Sequence, residues 1–186
     1  MKSNLLPAIK LTIICMVFFM GIYTLVMLGI AQVAPNHGKG FVIKSNGKKY
    51  YENIGQKFTK DKYFWSRPSA VDYNAAGSGG SNKGPSNPEY LKTVQDRIDT
   101  FMVHNPTVKK EEIPSDIVTA SGSGEDPHIS VQAALIQVKR IAKIRNISEQ
   151  KLTNIVNGFI QKPFMGLFGP STINVLQLNV ALDNFK

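Results

Sequence analysis

Leu11-Thr-Ile-Ile-Cys-Met-Val-Phe-Phe-Met-Gly-Ile-Tyr-Thr-Leu-Val-Met-Leu-Gly-Ile-Ala-Gln-Val-Ala34 runs for 24 residues without one Asp, Glu, Lys, Arg or His. As a helix rising ~1.5 Å per residue it is roughly 36 Å long, enough to cross a hydrocarbon core of about 30 Å with some tilt. Twelve of its residues are Leu, Ile, Val or Phe. Near the centre of a span each favours insertion by ~0.3–0.6 kcal/mol, together on the order of 4–7 kcal/mol with no charge opposing them. The stretch reads as a membrane anchor. It divides the chain into a short amino-terminal segment, residues 1–10, the span, residues 11–34, and a remainder, residues 35–186. A cleaved secretory signal is the competing reading, and Gly29 and Ala31 do form a small-x-small pattern. The apolar region of such signals, however, normally runs only about 7–15 residues. Lipoprotein attachment fits less well, because Cys15 follows Ile13 and Ile14 and lies within the span.

Both flanks of the span are basic. Lys2 and Lys10 precede it, and Lys39, Lys44, Lys48 and Lys49 follow it. The positive-inside tendency keeps the short segment in the cytoplasm, while long domains translocate largely regardless of charge. The expected topology is therefore a cytoplasmic amino terminus and an extracytoplasmic domain over residues 35–186. Within the span, Gly21, Thr24 and Ala31 fall within about 80° of one another at 100° per residue, a narrow face of small side chains that lets another helix approach.

About 150 residues after the span suffice for one soluble domain with its own core. The single cysteine leaves that domain without an internal disulfide. The net charge is +9, with 20 of the 22 basic residues after the span, but they are scattered among 13 acids. That pattern reads as a solvated surface rather than a polyanion or nucleic-acid site.

Along the domain, Phe41-Val-Ile-Lys44 predicts a strand, Asn46-Gly47 a turn, and Tyr50-Tyr51 the returning strand. Tyr63-Phe-Trp-Ser-Arg-Pro-Ser-Ala70 offers three aromatics before Arg67, either a binding face or a core insertion with Arg67 capping a turn. Ala75 to Pro88 has the composition of a flexible linker, and Lys83 precedes Gly84 in an order that no phosphate loop uses. Asn87-Pro88 predicts a helix start, with Leu91, Val94, Ile98, Phe101 and Met102 on its buried face. Ile113 to Thr119 is expected to be extended. Asp126 and Pro127 are expected to open a helix burying Val131, Leu135, Val138 and Ala142, with the N–H groups of residues 124–128 free for an anion. Ser148 to Phe159 predicts a short helix. Pro163-Phe-Met-Gly-Leu-Phe-Gly-Pro170 is a core plug or a partner-facing patch, and Ile173 to Leu182 a strand or a closing helix. His37, His104 and His128 lie far apart in the sequence and no carboxylate spacing fits a metal, so His128 beside Asp126 has a structural reading. The fold class expected is α+β.

Four motifs stand in order behind the single span. They are Tyr63-Phe-x-x-Arg-Pro-Ser-Ala70, Ser78-Gly-Gly-Ser-Asn-x-Gly-Pro-Ser-Asn-Pro88, Thr119-Ala-Ser-Gly-Ser-Gly-x-Asp-Pro-His-Ile-Ser130 and Asn174-Val-Leu-x-Leu-Asn-x-Ala-Leu-Asp183. In these the chain resembles the KdpC family, the C subunits of the bacterial Kdp potassium-transporting ATPase, from end to end. Lys83 and Glu125 stand where the resemblance leads one to expect Leu.

The resemblance implies a non-catalytic subunit of a high-affinity potassium uptake complex in the bacterial cell membrane. Its partners would be a channel-like A subunit, a P-type ATP-hydrolysing B subunit and a small F subunit, with membrane lipid around the span. It also implies support of assembly and a chaperone effect on the ATP affinity of the B subunit. ATP is the only small molecule implied, and backbone donors for it would come from Gly79, Gly80, Ser121, Gly122, Ser123 and Gly124. Partner contact is expected at Gly21, Thr24 and Ala31 in the span, and at Tyr63, Phe64, Trp65, Arg67, Tyr73, Asn82, Asp126 and His128 in the domain. The alternative classes are a membrane-tethered extracellular enzyme using Ser78, Ser121 or His128, and a wall-polymer binder using Lys39 to Lys62.

Overall fold

A computed structural model describes residues 2–185. It divides into two compact units, Met1–Phe41 and Val42–Lys186. In the first unit the apolar run lies within one long helix. Helix α1 (Lys2–Met16) passes into a π-helical segment, Val17–Tyr23, and continues as α2 (Thr24–Val33). Asn4–Val33 is long and apolar enough to cross a membrane, and none of it is buried within the protein. The side-chain hydroxyl of Thr24 donates to the carbonyl of Phe19, five residues back, at 3.2 Å. Because a π turn holds more residues than an α turn, Gly21 is rotated away from the position that uniform α spacing gives it relative to Thr24 and Ala31. The narrow small-residue face is therefore wider than expected.

The second unit begins with the hairpin β1 (Val42–Ser45) and β2 (Lys48–Tyr51), whose pairing of Ser45 with Lys48 leaves a two-residue turn. Asn46 and Gly47 both have positive φ, 50° and 75°, the conformation whose twist matches a tight hairpin. Helix α3 (Pro88–His104) starts as expected: the Asn87 side chain accepts from the Tyr90 N–H at 3.0 Å, and Pro88 is the first helical residue. Its buried face is narrower than the periodicity suggests. Phe101 is buried and Val94 and Ile98 are partly so, but Leu91 is exposed.

A three-stranded antiparallel sheet, order β3-β5-β4, forms from β3 (His128–Ser130), β4 (Ile160–Gln161) and β5 (Thr172–Asn174). The expectation that Asp126 and Pro127 open a helix is corrected here. His128–Ser130 is claimed by pairing with Thr172–Asn174, so the helix starts later, with Ser130 as its cap accepting from the Ala133 N–H. Asp116 fixes that corner by accepting from the Ser130 N–H at 2.6 Å and from its hydroxyl at 3.1 Å.

The helix is also broken, into α4 (Val131–Leu135) and α5 (Val138–Arg145), which leaves Leu135 outside the core. Helix α6 (Glu149–Gly158) is capped by Ser148. The ambiguous apolar tail is both of its candidates in turn, strand β5 and then α7 (Val175–Asn184), capped by Asn174. Ile113 to Thr119 is not extended but holds a 3-10 turn, Ser115–Ile117. One core joins Phe64, Phe101, Ile129, Ile141, Leu152, Ile173, Leu178 and Leu182, drawing on the helices, the sheet and the loop before α3. The whole is a mixed helix-and-sheet structure.

Candidate functional site

The segment Asp61 to Arg67 has no regular structure of its own, so its backbone polar groups need partners from elsewhere. Buried side chains supply them. Asn179, on α7, accepts from the Phe64 N–H and donates to the Phe64 carbonyl, both at 2.9 Å, pairing like a strand residue. Gln137, ahead of α5, accepts from the Trp65 N–H at 2.8 Å. Arg140, with 4 % of its side chain exposed, donates to the carbonyls of Asp61 and Tyr63, to Asn105 Oδ1 at 2.9 Å and to Gln137 Oε1 at 2.7 Å. Its guanidinium also sits over the Trp65 ring, 5.0 Å from the centroid. Burial pulls the Arg140 pKa down to about 10, partly offset by the nearby Asp61 carboxylate.

Phe64 is thereby driven fully into the core, whereas Trp65 and Tyr63 stay half-buried. Tyr63 donates to Asp183 at 2.8 Å, and its phenol is raised above the usual range by burial and by that carboxylate.

Arg67 turns away from this network and pairs with Asp126 at 3.0 Å. The other Asp126 oxygen accepts from the His128 N–H at 3.0 Å and lies 3.1 Å from His128 Nδ1. Burial alone would raise the Asp126 carboxyl, but the hydrogen bonds from His128 and the charges of His128 and Arg67 outweigh it and hold the pKa below the ordinary value. Ser69 Oγ accepts from the N–H groups of Val71 and Tyr73, and the Tyr73 hydroxyl donates to the Arg67 carbonyl. This holds Tyr73 at φ 59°.

The two Gly-Ser segments lie against each other. Gly79 N–H and Ser78 Oγ both donate to the Ser123 carbonyl at 2.9 Å. A methyl group on Gly124, at φ 72°, would lie 2.6 Å from both the Gly79 carbonyl oxygen and Val71 Cγ2, and one on Gly80 would lie 2.9 Å from the Gly122 oxygen. Side chains are excluded because two backbones meet there. Residues 75–80 are thus tied down rather than a free linker, and Asn82, at φ 52°, lies in the exposed run that follows.

Three of the N–H groups expected to be free for an anion are in use. Gly124 donates to Ser121, Glu125 to the Ser123 hydroxyl, and His128 to Asp126. Ser121 is buried, and Gly122 and Ser123 are exposed.

Three loops separated in sequence, 63–73, 77–88 and 119–130, therefore meet in one place. The first of these loops and helix α3 line a cleft of ≈ 560 Å³, with Phe58, Trp65, Tyr73, Asp96, Arg97 and His104 among its residues. Aromatic and charged side chains both line it. The buried Arg140, Gln137, Asn105 and Asn179, which hold the aromatic segment, were not singled out from sequence. Their signal was present: Gln137 and Arg140 share a helical face with buried Ile141.

The family described as "KdpC: K+-transporting ATPase, c chain" matches residues 5–184. Three relatives, each called potassium-transporting ATPase KdpC subunit, align over nearly the full length. The one from Flavobacterium psychrophilum is 58 % identical, covering 99 % of this chain and 100 % of the relative. That from Bacteroides fragilis is 47 % identical, covering 99 % and 98 %. The protein of Caldanaerobacter subterraneus is also 47 % identical, covering 98 % and 95 %.

Proposed function

Because the chain belongs to the KdpC family of potassium-transporting ATPase subunits, we propose that it is the non-catalytic subunit that holds an ATP-driven potassium uptake complex together. Its single span packs among the membrane helices of the other subunits, with Gly21 open for close approach. The domain of residues 35–186 lies outside the cytoplasm. It covers the potassium entry of a channel-like subunit and contacts it through the joined loops. The observation that carries this reading is the convergence of the three motif-bearing loops, the first of which lines a cleft with aromatic walls.

Trp65, Tyr73 and Arg67 form the partner-facing part, while Phe64 serves it from the core. The effect on ATP affinity that the family resemblance implies runs through contact with the ATP-hydrolysing subunit. The Gly79 and Gly124 N–H groups, offered from sequence as phosphate donors, already serve Ser123 and Ser121.

A tagged chain purified in mild detergent from its host membrane tests the assembly role. A channel-like subunit and an ATP-hydrolysing subunit should come with it, and potassium-dependent ATPase activity should disappear when the chain is deleted. Extraction of the chain alone, with that activity intact after deletion, overturns the reading. For topology, Lys83→Cys in intact cells should react with a membrane-impermeant thiol reagent, and protection until lysis puts the domain on the wrong side.

A further inference from the structure

Residues 163–170 do not form the core plug that is one of their two expected roles. Phe164 and Phe168 pair as an antiparallel bridge around a tight turn, Met165 at φ 53° and Gly166 at φ 75°. The Phe164 N–H donates to the Phe168 carbonyl at 2.9 Å, and the Phe168 N–H returns to the Phe164 carbonyl at 3.0 Å. Gly166 N–H donates to Pro163 at 2.9 Å and Leu167 N–H to Phe164 at 3.1 Å. Every large apolar side chain on this turn points out: Phe164 is 73 % exposed, Met165 77 %, Leu167 82 % and Phe168 65 %. Four such residues on one turn are far more than scattered surface apolars require.

We propose that this turn is a second membrane contact, inserting Phe164, Met165, Leu167 and Phe168 into the interface of the bilayer that the chain's own helix spans. Three observations select lipid as the occupant. First, the turn is a projecting tip, and the bridge already satisfies most of its N–H donors, so an apolar phase imposes little hydrogen-bond loss on it. A protein docking surface instead offers free polar groups around an apolar centre. Second, the charge is right for an anionic membrane. Lys162 flanks the turn, and no acidic residue occurs between Glu149 and Asp183. Third, the same chain carries a helix long and apolar enough to cross a membrane, so the domain it tethers meets lipid at a raised effective concentration.

The test uses the full chain reconstituted in phosphatidylcholine–phosphatidylglycerol vesicles. Leu167→Cys in a Cys15→Ser background carries a spin label whose collisions with oxygen and with a water-soluble nickel chelate are compared. Insertion gives a label accessible to oxygen and shielded from nickel, while a label at Gln150→Cys on α6 stays open to nickel. Replacing Phe164, Met165 and Phe168 together by Ser should return the Leu167 label to water. A label on native Cys15 reports the anchor separately, so loss of the span and loss of the tip contact are told apart. Nickel access at Leu167 equal to that at Gln150 overturns the proposal. So does shielding that appears only when the other subunits are added, which assigns the turn to a protein partner.

Discussion

Arg140 is the residue on which the aromatic segment depends, since one guanidinium supplies the Asp61 and Tyr63 carbonyls, two side-chain amides and the face of Trp65. Removing one partner from a buried charged network costs more than its net contribution, because the groups left behind stay dry and unpaired. Arg140→Met should lower unfolding free energy by about 3–5 kcal/mol in urea titrations followed by Trp65 fluorescence. Arg140→Lys should recover little, as an ammonium cannot reproduce the planar fork. Tyr73 contributes to the alkaline response. Burial pushes its phenol up to about 12, above the ordinary value of 10.0. Below pH 10 the phenol is protonated in both folded and unfolded states and its contribution is complete. As pH rises from 10 toward 12 the unfolded chain loses the proton and the folded one keeps it, so stability falls, by at most ~2 kcal/mol. Tyr73→Phe should flatten that part of the stability curve, and an unchanged slope would assign the alkaline loss to other groups.

At the scale of elements, the join between the two Gly-Ser loops decides whether the site forms. Gly124 is constrained twice, by φ 72° and by the backbone of Gly79, whereas Gly84 has nothing within 4 Å of where a methyl group would go. Gly124→Ala combines a left-handed penalty of ~1–2 kcal/mol with overpacking of ~1–3 kcal/mol, against a few tenths for Gly84→Ala. Thermal melts of the two variants side by side check this, and equal midpoints would mean that the loops do not press together in solution. Much at this level was legible. Asn87-Pro88, Asn46-Gly47 and Ser148 act through contacts with chain neighbours, so local chemistry suffices to read them. His128–Ser130 was misread as part of a helix for the opposite reason. Its strand exists only because Thr172–Asn174, more than 40 residues later, lies beside it, and no nearby residue announces that partner.

For the molecule as a whole, every residue of the hydrophobic core falls between Phe64 and Leu182, within the second compact unit. A chain lacking residues 1–41 should therefore unfold in a single cooperative transition with the midpoint of the detergent-solubilised full chain. A broad, non-cooperative melt would show that the span contributes to the core. The sequence by itself determined a helix long and apolar enough to cross a membrane, the local caps and turns, and membership of a potassium-transporting ATPase subunit family. Hydrophobicity, capping and motif order are properties of contiguous residues, and they survive without knowledge of what lies across the fold. Only the tertiary structure decided that Arg67 meets Asp126, that two glycine-rich stretches spend their hydrogen bonds on each other, and that Phe164 to Phe168 faces outward while Phe64 is buried. Each of these is a choice between water and a distant partner, and the burial that makes the choice belongs to the assembled chain.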